Sequence, residues 1–142
     1  MALLGRFEPQ IYALVRIVIG FLFVLHGTQK LFMFPPFPKF CPCPGEDMPV
    51  PPAMFLLVVG SMELVFGLMV FLGFFTRLGA FLASGMMAVA YFIGHQSQGA
   101  LPHTNMGLPA VLYCFIFLYI AARGAGICSV DSMMGKAKTA EE

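Results

Sequence analysis

The sequence predicts an all-α integral membrane protein, a four-helix bundle built as one domain over residues 1–142. The chain is 59% hydrophobic and only 11% charged, and its mean hydropathy is +0.86. A soluble domain of this length could not bury so much apolar surface, because too few polar residues remain to face water. The net charge of +1 does not indicate nucleic-acid binding. Four apolar stretches lie at about residues 11–34, 53–75, 78–94 and 106–122.

Each of these stretches is near the length of a helix that crosses the hydrocarbon core of a bilayer. Backbone groups in lipid must be hydrogen-bonded within the segment, so helices are expected, and four spans are too few and too long for a β-barrel. The first stretch is expected to stay as a membrane anchor. Arg6 precedes it, but the run leads into polar residues 26–30 without the cleavage site of a signal peptide.

A proline-rich segment runs from Pro35 to Pro52, after the first span. Proline lacks an amide donor and stiffens the chain, so we expect an extended loop that covers the bundle or docks a partner. Cys41 and Cys43 lie within this loop. A disulfide between them would be strained and reducible, which suits a redox or metal role. The alternative is loop thiols that stay unpaired or bond to another subunit.

Glu63 lies near the middle of the second apolar stretch. A carboxylate at this depth is costly unless it is protonated, paired or beside water, so it needs a local partner. Gly60 and Gly67 flank it, and small residues let membrane helices approach closely, so this face is expected to point into the bundle. The candidate partners on other stretches are Arg16, His26, Lys30 and His95.

Small residues and breakers organise the second half of the chain. Asn105 is a candidate cap of the fourth span, but Pro109 favours a regular helix that begins near itself, where a missing amide costs nothing. Residues 124–126 are expected to end that helix, and Asp131 to cap a helix or pair at the membrane surface. A close-packed inward face of the third span is expected from Gly79, Ala83, Ala90 and Gly94.

The distribution of basic residues predicts the orientation in a bacterial inner (plasma) membrane. Under the positive-inside bias, both termini are cytoplasmic, and the loops at 35–52 and 96–105 lie outside. The residues that assign the cytoplasmic side are Arg6, Arg77, Arg123, Lys136 and Lys138.

Several pieces of the chain match a known family in order along nearly the whole sequence. They are Arg16-x-x-x-Gly20 with residues 26–31, Glu63-x-x-x-Gly67 with residues 72–78, and Asn105-Met106-Gly107 with residues 110–113, 124–126 and 129–131. With these pieces the chain resembles the DoxX family of four-span membrane proteins. The resemblance implies a plasma-membrane protein associated with a quinone-linked oxidoreductase, such as the small subunit of thiosulfate:quinone oxidoreductases, and quinone as the cofactor. One departure concerns the family's Asn-Gly-Gly-Glu sequence before span four, where Met106 and Leu108 replace the second residue and the glutamate.

The polar residues of the spans suggest a quinone site. A quinone headgroup needs hydrogen-bond donors at its carbonyls and a path for protons, and a histidine beside a carboxylate supplies both. We therefore expect His26, Glu63 and His95 to line the site as catalytic residues. The expected binding residues are Lys30, Gln29, Arg16 and Asn105. The alternative is that Glu63 pairs with Arg16 or Lys30 only to neutralise buried charge and set the helix register.

The sequence is also compatible with an accessory function. The chain could instead be a non-catalytic accessory or scaffold subunit that docks a larger membrane complex through its span faces and the loop from Pro35 to Pro52. Whether it is itself an enzyme therefore stays open. Axial haem ligation by His26 and His95 has no further support in the sequence, and no metal site is expected. The expected partners are the lipid bilayer and other membrane subunits.

Overall fold

A computed structural model describes residues 2–36 and 53–135. The prediction of an all-α membrane bundle is confirmed over these ranges, in which no β-strand occurs. A π-helical turn Tyr91–His95 and a 3₁₀ turn Gln96–Gln98 extend the helix that begins at Thr76. The α-helices are α1 Ala2–Gly5, α2 Glu8–Phe32, α3 Ala53–Leu72, α4 Thr76–Ala90, α5 Leu108–Arg123 and α6 Val130–Met133. The predicted cysteine pair Cys41 and Cys43, and most of the proline-rich loop, lie outside the described residues.

The first three predicted spans correspond to helices that are long and apolar enough to cross a membrane, namely α2, α3 and the continuous helix Thr76–Gln98. The fourth corresponds to the shorter apolar helix α5. At a rise of about 1.5 Å per residue, its 16 residues extend about 24 Å, less than a hydrocarbon core of about 30 Å. Pro109 lies in its first turn, so the prediction of a helix start near this proline is confirmed.

The boundary between α3 and α4 differs from the predicted one. The apolar pattern continues to residue 75, but α3 ends at Leu72 and α4 begins at Thr76. Gly73 has a φ of 69° and Phe75 a φ of 46°, and these left-handed conformations turn the chain tightly between two antiparallel helices. Hydropathy does not detect this turn because its residues are as apolar as the helices.

Glycines form the interface between α2 and α3. A Cβ atom added at Gly27 would lie 2.6 Å from the amide nitrogen of Leu64, and one added at Gly20 would lie 2.5 Å from that of Phe71. Gly60 and Gly67 are buried on the facing side of α3. The two antiparallel backbones are therefore almost in contact, which membrane helices achieve only with small residues at the interface. The predicted inward face around Glu63 is confirmed.

A hydroxyl and aromatic rings contribute to the other helix interfaces. On α4, Ser84 donates a hydrogen bond from Oγ to the carbonyl oxygen of Cys114 on α5, at 2.8 Å. Helices α2 and α5 meet through aromatic rings, and the centroids of Phe23 and Phe117 are 4.7 Å apart. Both of these phenylalanines are fully buried. The core of the bundle is thus packed by glycines on one side of α2 and by rings on the other.

The predicted inward face of the third span is correct as far as Ala90. Gly79 and Ala83 are buried in α4, and Ala90 packs against the core. Gly94 is exposed, and a Cβ atom added there would meet nothing within 4 Å. The prediction for Gly94 is therefore wrong. The wider π-helical turn changes the phase of the helix, so a residue placed on the inward face by α-helical spacing leaves it.

Arg16 ties the end of α3 to the chain after α5. Its side chain is fully buried, and its guanidinium donates hydrogen bonds to the carbonyl oxygens of Val70 at 2.8 Å, Phe71 at 2.9 Å and Cys128 at 2.7 Å. The last carbonyls of a helix have no partner within it, and a cation near them is favourable. The predicted pairing of Arg16 with Glu63 is not formed, because these carbonyls hold the guanidinium at the other end of α3.

Asp131 caps the start of α4. Its carboxylate accepts hydrogen bonds from the backbone amides of Phe75 and Thr76, both at 3.0 Å, and from the Thr76 hydroxyl at 2.9 Å. The predicted capping role of Asp131 is confirmed. Helix α5 ends at Arg123, and Gly124 follows with a φ of 92°, which confirms the predicted helix stop.

Basic side chains gather at the end of the bundle where α2 begins. Arg123 forms an ion pair with Glu8 at 2.6 Å, and Arg77 donates to the carbonyl oxygen of Ala122 at 2.7 Å. This clustering agrees with the single basic side expected from the sequence. The side of the membrane that this end faces stays a prediction, and Lys136 and Lys138 lie outside the described residues.

The glycine interface predicts a strong asymmetry between two Gly→Ala substitutions. Gly27→Ala should destabilise the bundle by about 1–3 kcal/mol, because the methyl group overpacks against the backbone of α3. Gly85→Ala should be neutral or stabilise the protein by up to about 1 kcal/mol, because Gly85 is helical with open space around it. Unfolding of each variant in mixed micelles measures the difference, and equal effects at the two positions would contradict the interface.

The Arg16 contacts predict that Arg16→Gln destabilises the protein by about 3 kcal/mol or more, since several hydrogen bonds from a charged donor are lost together. The matched control is Arg6→Gln, which removes the same charge from an exposed residue and should change the free energy of unfolding by less than about 0.5 kcal/mol. The same unfolding measurement applies. A stable Arg16→Gln protein would show that the α3 carbonyls do not need this donor.

Candidate functional site

Glu63 is paired inside the bundle. Its side chain is almost completely buried, and Lys30 Nζ lies 2.7 Å from Oε1 and 2.6 Å from Oε2. Lys30 stands in the last turn of α2 and is 25% exposed at its side chain. The ammonium therefore compensates the buried carboxylate directly while it stays close to the surface of the bundle. Of the partners considered from the sequence, Lys30 is the one that makes the ion pair.

The glycine interface brings these two charges together. A Cβ atom added at Gly60 would lie 3.0 Å from Cβ of Lys30, so the stem of the lysine passes over the bare backbone of α3. Glu63 follows less than one helical turn after Gly60 and presents its carboxylate to the same neighbouring helix. Close packing of the two backbones is thus the reason that the ammonium reaches both carboxylate oxygens.

His26 lies one helical turn before Lys30, on the exposed surface of α2. Its Nδ1 is 2.9 Å from the carbonyl oxygen of Leu22. A carbonyl only accepts, so Nδ1 is the donor, and Nε2 makes no hydrogen bond to the described residues. The ring meets Tyr113 of α5 edge to face, with centroids 5.8 Å apart.

Tyr113 joins the two sides of the site. It lies within electrostatic range of Glu63 as well as against the His26 ring. We call the set formed by His26, Lys30, Glu63 and Tyr113 the outer cluster. Sequence reasoning missed Tyr113, although a polar hydroxyl inside an apolar span is the same kind of signal that identified Glu63.

His95 and Asn105 form a separate group. His95 Nδ1 lies 3.1 Å from the carbonyl oxygen of Asn105. The Asn105 side chain is buried, accepts from the amide of Gly107 at 2.9 Å and donates to the carbonyl oxygen of Gly99 at 2.8 Å. These bonds shape the loop before α5, and none of them reaches the outer cluster within the described ranges.

The predicted site residues thus fall into three places. His26, Lys30 and Glu63 come together, His95 and Asn105 hold the loop before α5, and Arg16 seals the other end of α3. Gln29 donates from Nε2 to the carbonyl oxygen of Pro35 at 3.2 Å, which turns the chain at the end of α2. Chemical roles for these residues stay predictions.

The outer cluster combines a proton-exchanging ring, a phenol and an ammonium–carboxylate pair. Such a set can bind a polar headgroup by hydrogen bonds, and an imidazole can exchange a proton with its ligand. Among residues 2–36 and 53–135, no three His, Cys, Asp or Glu side chains are grouped so that they could hold a metal ion.

Fold and site together define an all-α membrane protein with a buried acid–base pair in a glycine-packed bundle. The chain belongs to the DoxX family, whose profile, described as DoxX, matches residues 11–96, more than half of its 142 residues. It is also similar to an uncharacterized protein of Haemophilus influenzae, with 40% identity over 136 residues, which cover 94% of this chain and 97% of the relative. No solved structure matches the chain significantly.

The buried ion pair predicts non-additive mutations. Lys30→Met should cost about 3–5 kcal/mol of stability, because it leaves the Glu63 carboxylate uncompensated. The double variant Lys30→Met with Glu63→Gln should recover most of this loss, since neither charge remains buried. Free energies of unfolding in mixed micelles give the coupling.

The control for this cycle is Glu8→Gln. It removes one partner of the ion pair with Arg123, in which the Glu8 side chain is 60% exposed. Its cost should stay within about 0–1 kcal/mol. If the stability losses of the single variants Lys30→Met and Glu63→Gln simply add in the double variant, the two side chains do not depend on each other.

Proposed function

We propose that the chain is a multi-pass subunit of a bacterial inner membrane that binds a quinone headgroup at the outer cluster and serves a quinone-linked oxidoreductase. One observation carries the proposal. His26 is a titratable ring on the exposed surface of a membrane helix, its Nε2 has no partner among the described residues, and it lies beside a phenol and a buried ion pair. Membership of the DoxX family agrees with this role.

The residues suit a quinone in two respects. The headgroup carries carbonyl acceptors, and the cluster offers donors at His26 and at the partly exposed Lys30 ammonium. The isoprenoid tail needs an apolar surround, which the exposed Leu22 on α2 and Leu112 on α5 provide beside the cluster. A ligand that is polar at one end and apolar along its tail can thus reach the site from within the bilayer.

His26 would handle the proton. When quinone is reduced, two electrons come from a redox centre of a partner subunit, and each carbonyl oxygen gains a proton, one by way of His26 and the other from water. A doubly protonated imidazole can give its Nε2 proton to one carbonyl oxygen while Nδ1 keeps its bond to Leu22. The ring can then regain a proton from water at the nearby end of α2. In the reverse direction, Nε2 accepts the proton of a quinol hydroxyl.

The accessory role remains the second candidate, and one observation favours it. Lys30 bonds both oxygens of Glu63, so the buried charge is satisfied without a ligand. Leu108, at the position of the family glutamate, adds no further acid to the site. In this case the outer cluster fixes helix register, and the protein contributes surfaces on which larger subunits assemble.

Substitution of His26 distinguishes the two candidates. His26→Gln should lower quinone-dependent turnover of the complex, purified with its partner subunits in mild detergent, by about 100-fold, because the amide cannot exchange protons. The control is His103→Gln, which changes an exposed histidine of the loop before α5 and should leave turnover unchanged. Assembly of the complex is measured in the same preparations.

Each outcome assigns a role. Lost turnover in an assembled complex supports the quinone site. Normal turnover with His26→Gln overturns it. The accessory role is the correct one if His26→Gln leaves turnover normal and the partner subunits dissociate from one another in a preparation that lacks this chain.

A further inference from the structure

Tyr113 is the member of the outer cluster whose polar group has no assigned use. It lies on α5, whereas the other three members lie on α2 and α3. The site therefore depends on a third helix, although the ion pair itself needs only two. Tyr113 either serves only as a packing ring or also contacts the ligand.

Three aromatic contacts fix the orientation of the Tyr113 ring. It stacks on Phe117 with centroids 5.7 Å apart and planes inclined by 22°, and it packs on Phe23 at 5.5 Å. The His26 ring meets it edge to face at 5.8 Å. Phe23 and Phe117 are fully buried, so the tyrosine packs against the core of the bundle. A phenol held in this way is preorganised, and binding would cost little side-chain entropy.

The hydroxyl of Tyr113 makes no hydrogen bond within residues 2–36 and 53–135. Tyr113 is only half-buried, so its hydroxyl stays accessible at the surface of the bundle. Tyr12, which is buried in the core, instead donates to the carbonyl oxygen of Gly124. The Tyr113 hydroxyl is thus available to a ligand at the place where the imidazole is also open at Nε2.

We infer that Tyr113 is a ligand-binding residue whose hydroxyl donates a hydrogen bond to a carbonyl oxygen of the headgroup. This inference rests on the proposed quinone function and names a further donor of the same site. His26 and Tyr113 then contact the headgroup from two helices. The contact between their rings fixes the imidazole relative to the phenol, so a headgroup with suitably placed oxygens is selected.

The experiment measures binding directly in the full chain, reconstituted in lipid nanodiscs. Decylubiquinone is the probe, and NMR signals of carbon-13-labelled histidine and tyrosine report its binding. We expect the His26 and Tyr113 signals to shift along one saturation curve. Tyr113→Phe keeps the ring and removes the hydroxyl, so it should raise the dissociation constant about fivefold, as the loss of one neutral hydrogen bond does.

The matched control is Tyr119→Phe, which removes an exposed hydroxyl that accepts from Arg123 at the other end of α5. It should leave the dissociation constant unchanged. Tyr113→Leu removes the ring too, and should move the His26 signal even without the probe. In Tyr113→Phe without the probe, the His26 signal should keep its wild-type position, because the ring is still present. The effect on His26 packing then belongs to the ring, and the change in affinity belongs to the hydroxyl.

The outcomes separate the two proposals. Unchanged affinity in Tyr113→Phe, or a Tyr113 signal in the wild type that stays fixed while His26 saturates, overturns the binding role of Tyr113 and leaves the quinone site intact. A wild-type chain in which no histidine or tyrosine signal shifts with decylubiquinone overturns both. The wild-type tyrosine signal decides the matter even if a variant fails to fold.

Discussion

The close approach of α2 and α3 is the constraint on which the rest of the structure depends. Gly27 and Gly60 have no side chains that would hold the two backbones apart, and the side chain of Lys30 crosses α3 at Gly60. With larger residues there, the ammonium would be displaced from Glu63, and a carboxylate would remain unpaired in an apolar surround. Backbone packing and charge compensation are therefore one feature of this bundle and not two.

The two ends of the bundle use their polar groups differently. At the end where α2 begins, Arg16 and Asp131 bond backbone groups of α3 and α4 that lipid could not satisfy. At the other end, the ion pair is satisfied, but His26 and Tyr113 keep polar atoms without partners among the described residues. Nε of Arg16 at the first end is also unpaired among the described residues, but it is fully enclosed by protein. His26 and Tyr113 instead lie where a ligand could reach them.

Sequence reasoning predicted what depends on composition and local spacing. Hydropathy and glycine spacing predicted the spans and the inward face around Glu63, and the turn chemistry after α5 predicted its end. The choice of Lys30 over Arg16 as the partner depends on the register between two helices, which no local pattern encodes. The exposure of Gly94 follows from a π-helical turn without a distinct composition. Tyr113 reaches the site only through the packing of α5 on α2.

The ion pair itself argues for more than stability. A buried pair of charges repays its desolvation cost poorly, and apolar residues of similar volume often stabilise a fold equally well or better. Lys30 donates two hydrogen bonds to Glu63, and its ammonium has a third N–H donor. The Lys30 side chain is 25% exposed. Lys30 lies one helical turn after His26 on the same helix. A pair that served register alone would need neither the exposure nor the neighbouring imidazole, whereas the proposed polar headgroup would use both.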